Sequence, residues 1–322
     1  MIEEILTIEG LCGEAGGLRC STWDGKDRYD SLSIVSGLYG NEINGTYVAL
    51  QLSNFLSVVE AGNSKDYRLI GKVQIIPVVN FLAFEEGNKN WAFDDYDLNF
   101  AFPGNSNGEV SEKICQEVLK LTMDATFGVI LKSGNSCYRN FPHVKIWNSD
   151  RKLKKAANSL GLSTMKECEE SPQFQTQLIR FWSDRQIHSM ALSFGKLGAL
   201  DLSFCRSIID GMVNMMVDLE ILEVEGKSKE KNKTPFFGSG DQALVLAVES
   251  GFFVPEIQLG SYVEEGQVIG NTFEVHTGKV LEKVRSLKPG LVVSLRDYPV
   301  IYQGEVLAEI LITKKGLSFW PF

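Results

Sequence analysis

The sequence predicts an α/β fold, a mixed sheet layered with helices, followed by a small β-rich, barrel-like domain. Three observations carry that reading: strand and helix patterns alternate from about residue 30 to 222, a charged and glycine-bearing stretch interrupts them at 224–240, and short strands with glycine turns follow. The boundary falls at residue 230, giving an α/β domain over 1–230 and a β-rich domain over 231–322.

Each element follows from hydrophobic periodicity. Ser31 to Ser36 alternates as a strand should, and Lys72 to Val79 is a second apolar, β-branched run. Between them, Ile43, Tyr47, Leu50, Leu52, Leu56 and Val59 recur at mostly helical spacing within Glu42 to Val59. That completes a strand–helix–strand unit. Further helices are predicted over Val110–Met123, Pro172–Asp184 and Leu202–Leu222, with buried strands at Thr126–Leu131 and Met190–Phe194. Beyond the interruption, strands are expected at Ala243–Val248, Gly251–Pro255, Gly266–Gly270, Gly278–Val284, Gly290–Leu295 and Glu305–Ile312. The segment from Leu259 to Gly270 resembles the hairpin of lipoyl-like barrels. A lipoyl carrier needs a lysine at an exposed hairpin tip, and neither Lys279 nor Lys283 has that context.

Composition narrows the function classes. A chain of 322 residues, 44% hydrophobic and 23% charged, can bury a full core. Its net charge of -9, with dispersed basic residues, argues against nucleic acid as a partner, because phosphate binding needs clustered Lys and Arg. No apolar run approaches the roughly 18 to 20 residues that span a bilayer. The acidic start, Met1-Ile2-Glu3-Glu4, lacks the basic-then-apolar pattern of a signal peptide, so a cytoplasmic protein without membrane association is expected. The six cysteines (Cys12, Cys20, Cys115, Cys137, Cys168, Cys205) show no metal-ligand spacing and read as free thiols.

Three stretches in order carry a family resemblance. The first, Gly37-Leu38-Tyr39-Gly40-Asn41-Glu42, follows a strand and opens a helix. The second is Asn80 to Phe84 followed by Asp97-Leu98-Asn99-Phe100-Ala101-Phe102-Pro103-Gly104, and the third joins Val129 to Gly134 with Asn140-Phe141-Pro142-His143-Val144-Lys145. Together they resemble the succinylglutamate desuccinylase and aspartoacylase family of zinc-dependent deacylases, relatives of the zinc carboxypeptidases, over nearly the whole chain. The resemblance implies a zinc-carboxypeptidase-like sheet, a C-terminal β domain and hydrolysis of amide bonds.

It also implies what has been exchanged. In the family's Gly-x-His-Gly-x-Glu motif, His and Glu face one cation; here Tyr39 stands for the His and Glu42 is retained. The second family histidine aligns with Lys132, whose ammonium repels a metal ion and binds one only as the neutral amine. The family's general base, a Glu on a strand ending Glu-x-Gly, aligns with Ser193. The Arg of Asp-Leu-Asn-Arg, which grips substrate carboxylates, aligns with Phe100, while Asn99 remains. Another family arginine aligns with Tyr138, with Arg139 beside it, and a third with Lys89.

No cofactor is therefore expected, unless zinc is held by a rebuilt site through Glu42 and His143, with Cys137 as a further donor. His188 and Asp124 lie near the aligned positions in sequence, and His276 belongs to the β domain. The sequence suggests that Lys132 occupies the former zinc position and pairs with Glu42, with the Tyr39 hydroxyl completing the network. Two functions follow. In one the chain is a pseudoenzyme whose pocket binds a small amino-acid-like ligand, through Asn99, Arg139, His143 and Lys89, or which pairs with a homologous active subunit. In the other it is an active N-acyl amino acid deacylase or amidase, using rebuilt zinc or a Ser193 nucleophile with Lys132 or Tyr39 as base. The bland reading of Ser193, a satisfied hydroxyl on a buried strand, stands beside the second.

Overall fold

A computed structural model describes residues 2–9, 15–25, 30–147, 150–224 and 234–313. Most of the segment chosen as the domain boundary, 225–233, lies outside the described residues, as does Cys12. The chain opens with a hairpin of β1 (Ile2–Glu9) and β2 (Ala15–Asp24). Then come β3 (Ser31–Val35), α1 (Ile43–Glu60), β4 (Tyr67–Leu69), β5 (Lys72–Ile76), α2 (Phe81–Glu86), a 3-10 turn at Leu98–Phe100, α3 (Val110–Thr122) and β6 (Phe127–Lys132). The α/β part is completed by β7 (Tyr138–Ile146), α4 (Arg151–Ser159), β8 (Met165–Glu167), α5 (Leu178–Asp184), β9 (His188–Gly195), α6 (Leu202–Asp218) and β10 (Leu222–Val224). Nine strands follow: β11 (Phe236–Phe237), β12 (Gln242–Leu246), β13 (Gly251–Pro255), β14 (Tyr262–Val263), β15 (Val268–Phe273), β16 (Val280–Arg285), β17 (Gly290–Arg296), β18 (Val300–Ile301) and β19 (Val306–Ile312).

The principal sheet runs in the order β1-β2-β5-β3-β6-β9-β7-β17-β19-β12, with β8, β11 and β14 attached at its flanks. Strands β5, β3, β6 and β9 are parallel, and β7 pairs antiparallel to β9. Alternation along these strands sets the two faces. Phe127, Val129 and Leu131 of β6 and Met190, Leu192 and Phe194 of β9 pack with α1, α4 and α6 in one core. Ile130 and Ala191 point the other way, into a second core with α3 and α5. Lys132 shares the face of Ile130, and Ser193 that of Ala191.

The C-terminal strands build their own core around Phe253, Val263, Ile269 and Leu307, and β13, β15, β16 and β18 form a separate antiparallel sheet. Yet β17 also pairs with β7, Ser294 opposite Asn140, so the principal sheet passes from the first part into the second without a break. Among the described residues no helix is long and apolar enough to cross a membrane, and Cys20, Cys115, Cys137, Cys168 and Cys205 are free.

Two predicted helices differ from expectation. The Pro172–Asp184 helix is a 3-10 turn, Pro172–Thr176, separated from α5 by Gln177 in extended conformation. The Leu202–Leu222 helix ends at Asp218, because Leu222 joins β10 and pairs with Leu69 of β4.

The turn from β3 into α1 is fixed by two glycines. Gly37 has φ 68°, a conformation L side chains rarely adopt. At Gly40 an added Cβ would stand 2.2 Å from the Ala83 carbonyl carbon, and the Gly40 amide donates to Lys89 O at 3.0 Å. Gly40→Ala must therefore displace the end of α2. We expect it to lower stability by about 1–3 kcal/mol, as overpacking does, measured by urea denaturation.

Candidate functional site

The site is built where β3, β6 and β9 end. Glu42 occupies the N-cap position of α1 yet makes no capping bond with its side chain. Its carboxylate turns instead to the Ser133 amide, which donates to Oε1 at 2.7 Å. Glu42 is fully buried, and its Oε2 has no hydrogen-bond partner. Burial pushes its pKa up to about 7, against the opposing pull of Lys132 and of backbone N–H groups at Ser133 and Tyr39.

Lys132 sits one residue before that amide, at the end of β6, and its Nζ donates to Asn99 Oδ1 at 2.8 Å. Burial lowers its pKa, and the charges of Glu42 and Asp97 oppose that shift. Asn99 is held in turn by Asp97, whose Oδ1 accepts from the Asn99 backbone amide at 2.9 Å and from its side-chain amide at 3.0 Å. The other Asp97 oxygen accepts from the Tyr39 hydroxyl at 3.2 Å and lies 3.8 Å from Lys89 Nζ. Lys89 also rests over the Tyr39 ring, 4.6 Å from its centre. Burial first, and then Asp97 and Glu42, keep the Tyr39 phenol protonated.

One sequence expectation is corrected here. The structure places Lys132 in the electrostatic reach of Glu42, but they form no direct ion pair. The ammonium is drawn to Asn99, and the Tyr39 hydroxyl to Asp97, because these acceptors sit on the Leu98–Phe100 turn that closes over the strand ends.

Ser193 lies opposite Lys132 in the β6–β9 register and opposite His143 in β9–β7. It is fully buried, and its Oγ accepts from Asn140 Nδ2 at 2.7 Å. His143, also fully buried, pairs through Nδ1 with the Phe141 carbonyl at 2.7 Å, so that nitrogen carries the proton. Nε2 is left as an acceptor without a partner. Burial, then Lys145 and Lys166, hold this histidine neutral.

The remaining candidates lie apart from this network. Arg139 faces α6, where Nε donates to Asp201 Oδ2 at 2.9 Å and the guanidinium stacks on Phe204. Phe100 is exposed. Cys137 lies in a turn with its amide bonded to Asn135 Oδ1. His188 pairs with Asp150 at the opposite end of β9.

Sequence reasoning put Asn140 and Lys145 in a motif without giving them a role, and passed over Lys166. Alternation along β7 was the available signal, since it puts His143 and Lys145 on one face.

The zinc that the family implies does not fit these residues. A four-coordinate site takes its ligands from His, Cys, Asp and Glu; among the described residues no three of these gather at one point. Of the three positions that the resemblance aligns with metal ligands, Glu42 alone offers an anionic donor; Lys132 is an ammonium bonded to Asn99 and Tyr39 a phenol bonded to Asp97.

Comparison with known proteins agrees with this architecture. A structure of the ectoine utilization protein EutE (DoeB) from Ruegeria pomeroyi superimposes with a TM-score of 0.79 at 18% identity, covering 97% of this chain and 95% of that one. A succinylglutamate desuccinylase from a Silicibacter species gives 0.80 at 18% identity, with coverage of 97% and 95%. This chain has the desuccinylase/aspartoacylase fold. A succinylglutamate desuccinylase/aspartoacylase from Rhodobacter sphaeroides gives 0.76 at 17% identity, with 94% and 91% covered. Among curated proteins, an N-alpha-acetyl-L-2,4-diaminobutyric acid deacetylase from Halomonas elongata is 23% identical over 295 residues, 88% of this chain and 83% of that protein. No protein-family model matches the chain.

The Glu42 carboxyl makes stability depend on pH. Its pKa in the folded protein, about 7, lies above the ordinary 4.5. The native state thus holds this proton more tightly than the unfolded chain does. The contribution is complete below about pH 4.5 and is lost as pH rises through about 7. Glu42→Gln should remove this slope in denaturation midpoints measured between pH 5 and 8, roughly the window bounded by the two values. Lys132→Met leaves buried Asn99 Oδ1 without its donor and should cost about 1–3 kcal/mol in urea denaturation, below the cost of breaking a buried ion pair.

Proposed function

We propose that this chain is a metal-free member of the deacylase fold that has exchanged hydrolysis for binding, a pseudoenzyme whose former zinc pocket receives a small amino-acid-like ligand. The observation that carries this reading is the Lys132 ammonium, bonded to Asn99 where a metal ligand would stand. A fixed cation there supplies positive charge without a Lewis acid, and without a metal-bound water there is no nucleophile to deprotonate. Ser193, aligned with the general base, has no carboxylate to accept a proton, and its Oγ already accepts from Asn140 Nδ2.

The class of ligand comes from the relatives, one of which is named for an acetylated diamino acid. Asp97 and Lys89 at the Tyr39 side of the site offer opposite charges of the kind that recognise an amino acid's ends. A homologous active subunit as partner belongs to the same proposal, since a pseudoenzyme can also act through a catalytic relative.

A metal-free amidase is the reading from the other class. The register places Lys132 beside Ser193, but the two are not hydrogen-bonded, and burial of Ser193 leaves it no approach to a substrate carbonyl.

Elemental analysis of protein purified without chelator or added metal, followed by zinc titration, tests the proposal. We expect no stoichiometric zinc, no hydrolysis of Nα-acetyl-2,4-diaminobutyrate, and no fluorophosphonate labelling that Ser193→Ala abolishes. Tight zinc at one per chain with deacetylation would overturn it, and Ser193-dependent labelling would put the amidase in its place.

A further inference from the structure

Lys145 of β7 and Lys166 of β8 stand at one register position on neighbouring parallel strands. Val144, Ile146 and Met165 face the helical core of α1, α4 and α6, so both lysines project from the other face of the sheet. Two like charges opposite each other across a strand pair repel. Lys166 is buried and has an answer to its charge in Glu309, which reaches it from β19.

Lys145 has none. It is partly buried, and no described residue gives its ammonium a hydrogen bond or ion pair. Burial, then Lys166 and Lys132, act against its charge. In its favour is the same Glu309 that Lys166 already holds. A cation kept half out of water beside two others is an unfavourable arrangement unless an anion completes it.

We propose that Lys145 and Lys166 form the subsite for the acid group, carboxylate or phosphate, of a small ligand. This deepens the binding reading above and rests on it. Lys145 supplies the uncommitted charge and three donors; Lys166, with one donor spent on Glu309, keeps two more. The bound anion turns a repelling pair into a bridged one. This subsite uses none of the positions that the resemblance aligns with family arginines, Phe100, Tyr138 and Lys89.

Isothermal titration with sodium succinate and with sodium phosphate, each at ionic strength matched by sodium chloride, tests the subsite. We expect one saturable site, weakened about tenfold or more in Lys145→Met and kept within about threefold in Lys145→Arg. Binding of succinate alone identifies a carboxylate ligand, and binding of phosphate alone a phosphorylated one. The melting temperature in anion-poor buffer adds a separate readout: Lys145→Met should raise it by relieving repulsion, whereas a lysine with a structural role would lower it on removal. Saturable binding of neither anion, or equal affinity in Lys145→Met, would overturn the subsite. Zinc content and deacetylation judge the broader reading separately, so the two can fail independently.

Discussion

A carboxylate buried within the protein organises this protein's site. Glu42 closes the turn between β3 and α1, where the exposed amides at the start of a helix favour negative charge, but it is shut away from solvent and satisfied at one oxygen. The groups around it answer in alternation: Lys132 as cation, Asn99 as relay, Asp97 as anion, then Tyr39 and Lys89. The chain answers the buried carboxylate with its own side chains, and these bonds hold the Leu98–Phe100 turn over the strand ends.

The central elements were legible because they follow strict periods. The β3–α1–β5 unit, α3, β6 and β9 lie within a residue or a few of their predicted limits. The strand β7 was passed over because Pro142 interrupts it. A proline lacks the N–H that a ladder needs, and the structure accommodates it at a register shift between Asn140 and His143. The hairpin of β1 and β2 escaped notice for want of apolar alternation around Gly16 and Gly17. In α4 only Leu153, Ala156 and Ala157 mark the buried side of a lysine-rich segment.

The site was legible residue by residue more than contact by contact. Motif order located Tyr39, Glu42, Asn99, Lys132 and Ser193, and the strand registers bring the last two together. Which donor meets which acceptor depends on where a loop comes to rest, and no spacing reveals that. Arg139 illustrates the limit: one residue along a strand changes the face, and the side chain that looked suited to a carboxylate ligand serves Asp201 on α6 instead.

The pairing of β17 with β7 has a consequence for how the chain is made. Asn140, which holds Ser193, finds its outer neighbour at Ser294, some 150 residues later. During synthesis at about 5–20 residues per second, the Tyr138–Asn140 end of the β7 edge therefore waits on the order of ten seconds for its partner. Until then it offers unpaired backbone groups to any strand nearby. The other end of the same strand is covered far sooner, since Val144 to Ile146 pair with β8 about 20 residues on, so one strand of this sheet is finished at two widely separated times.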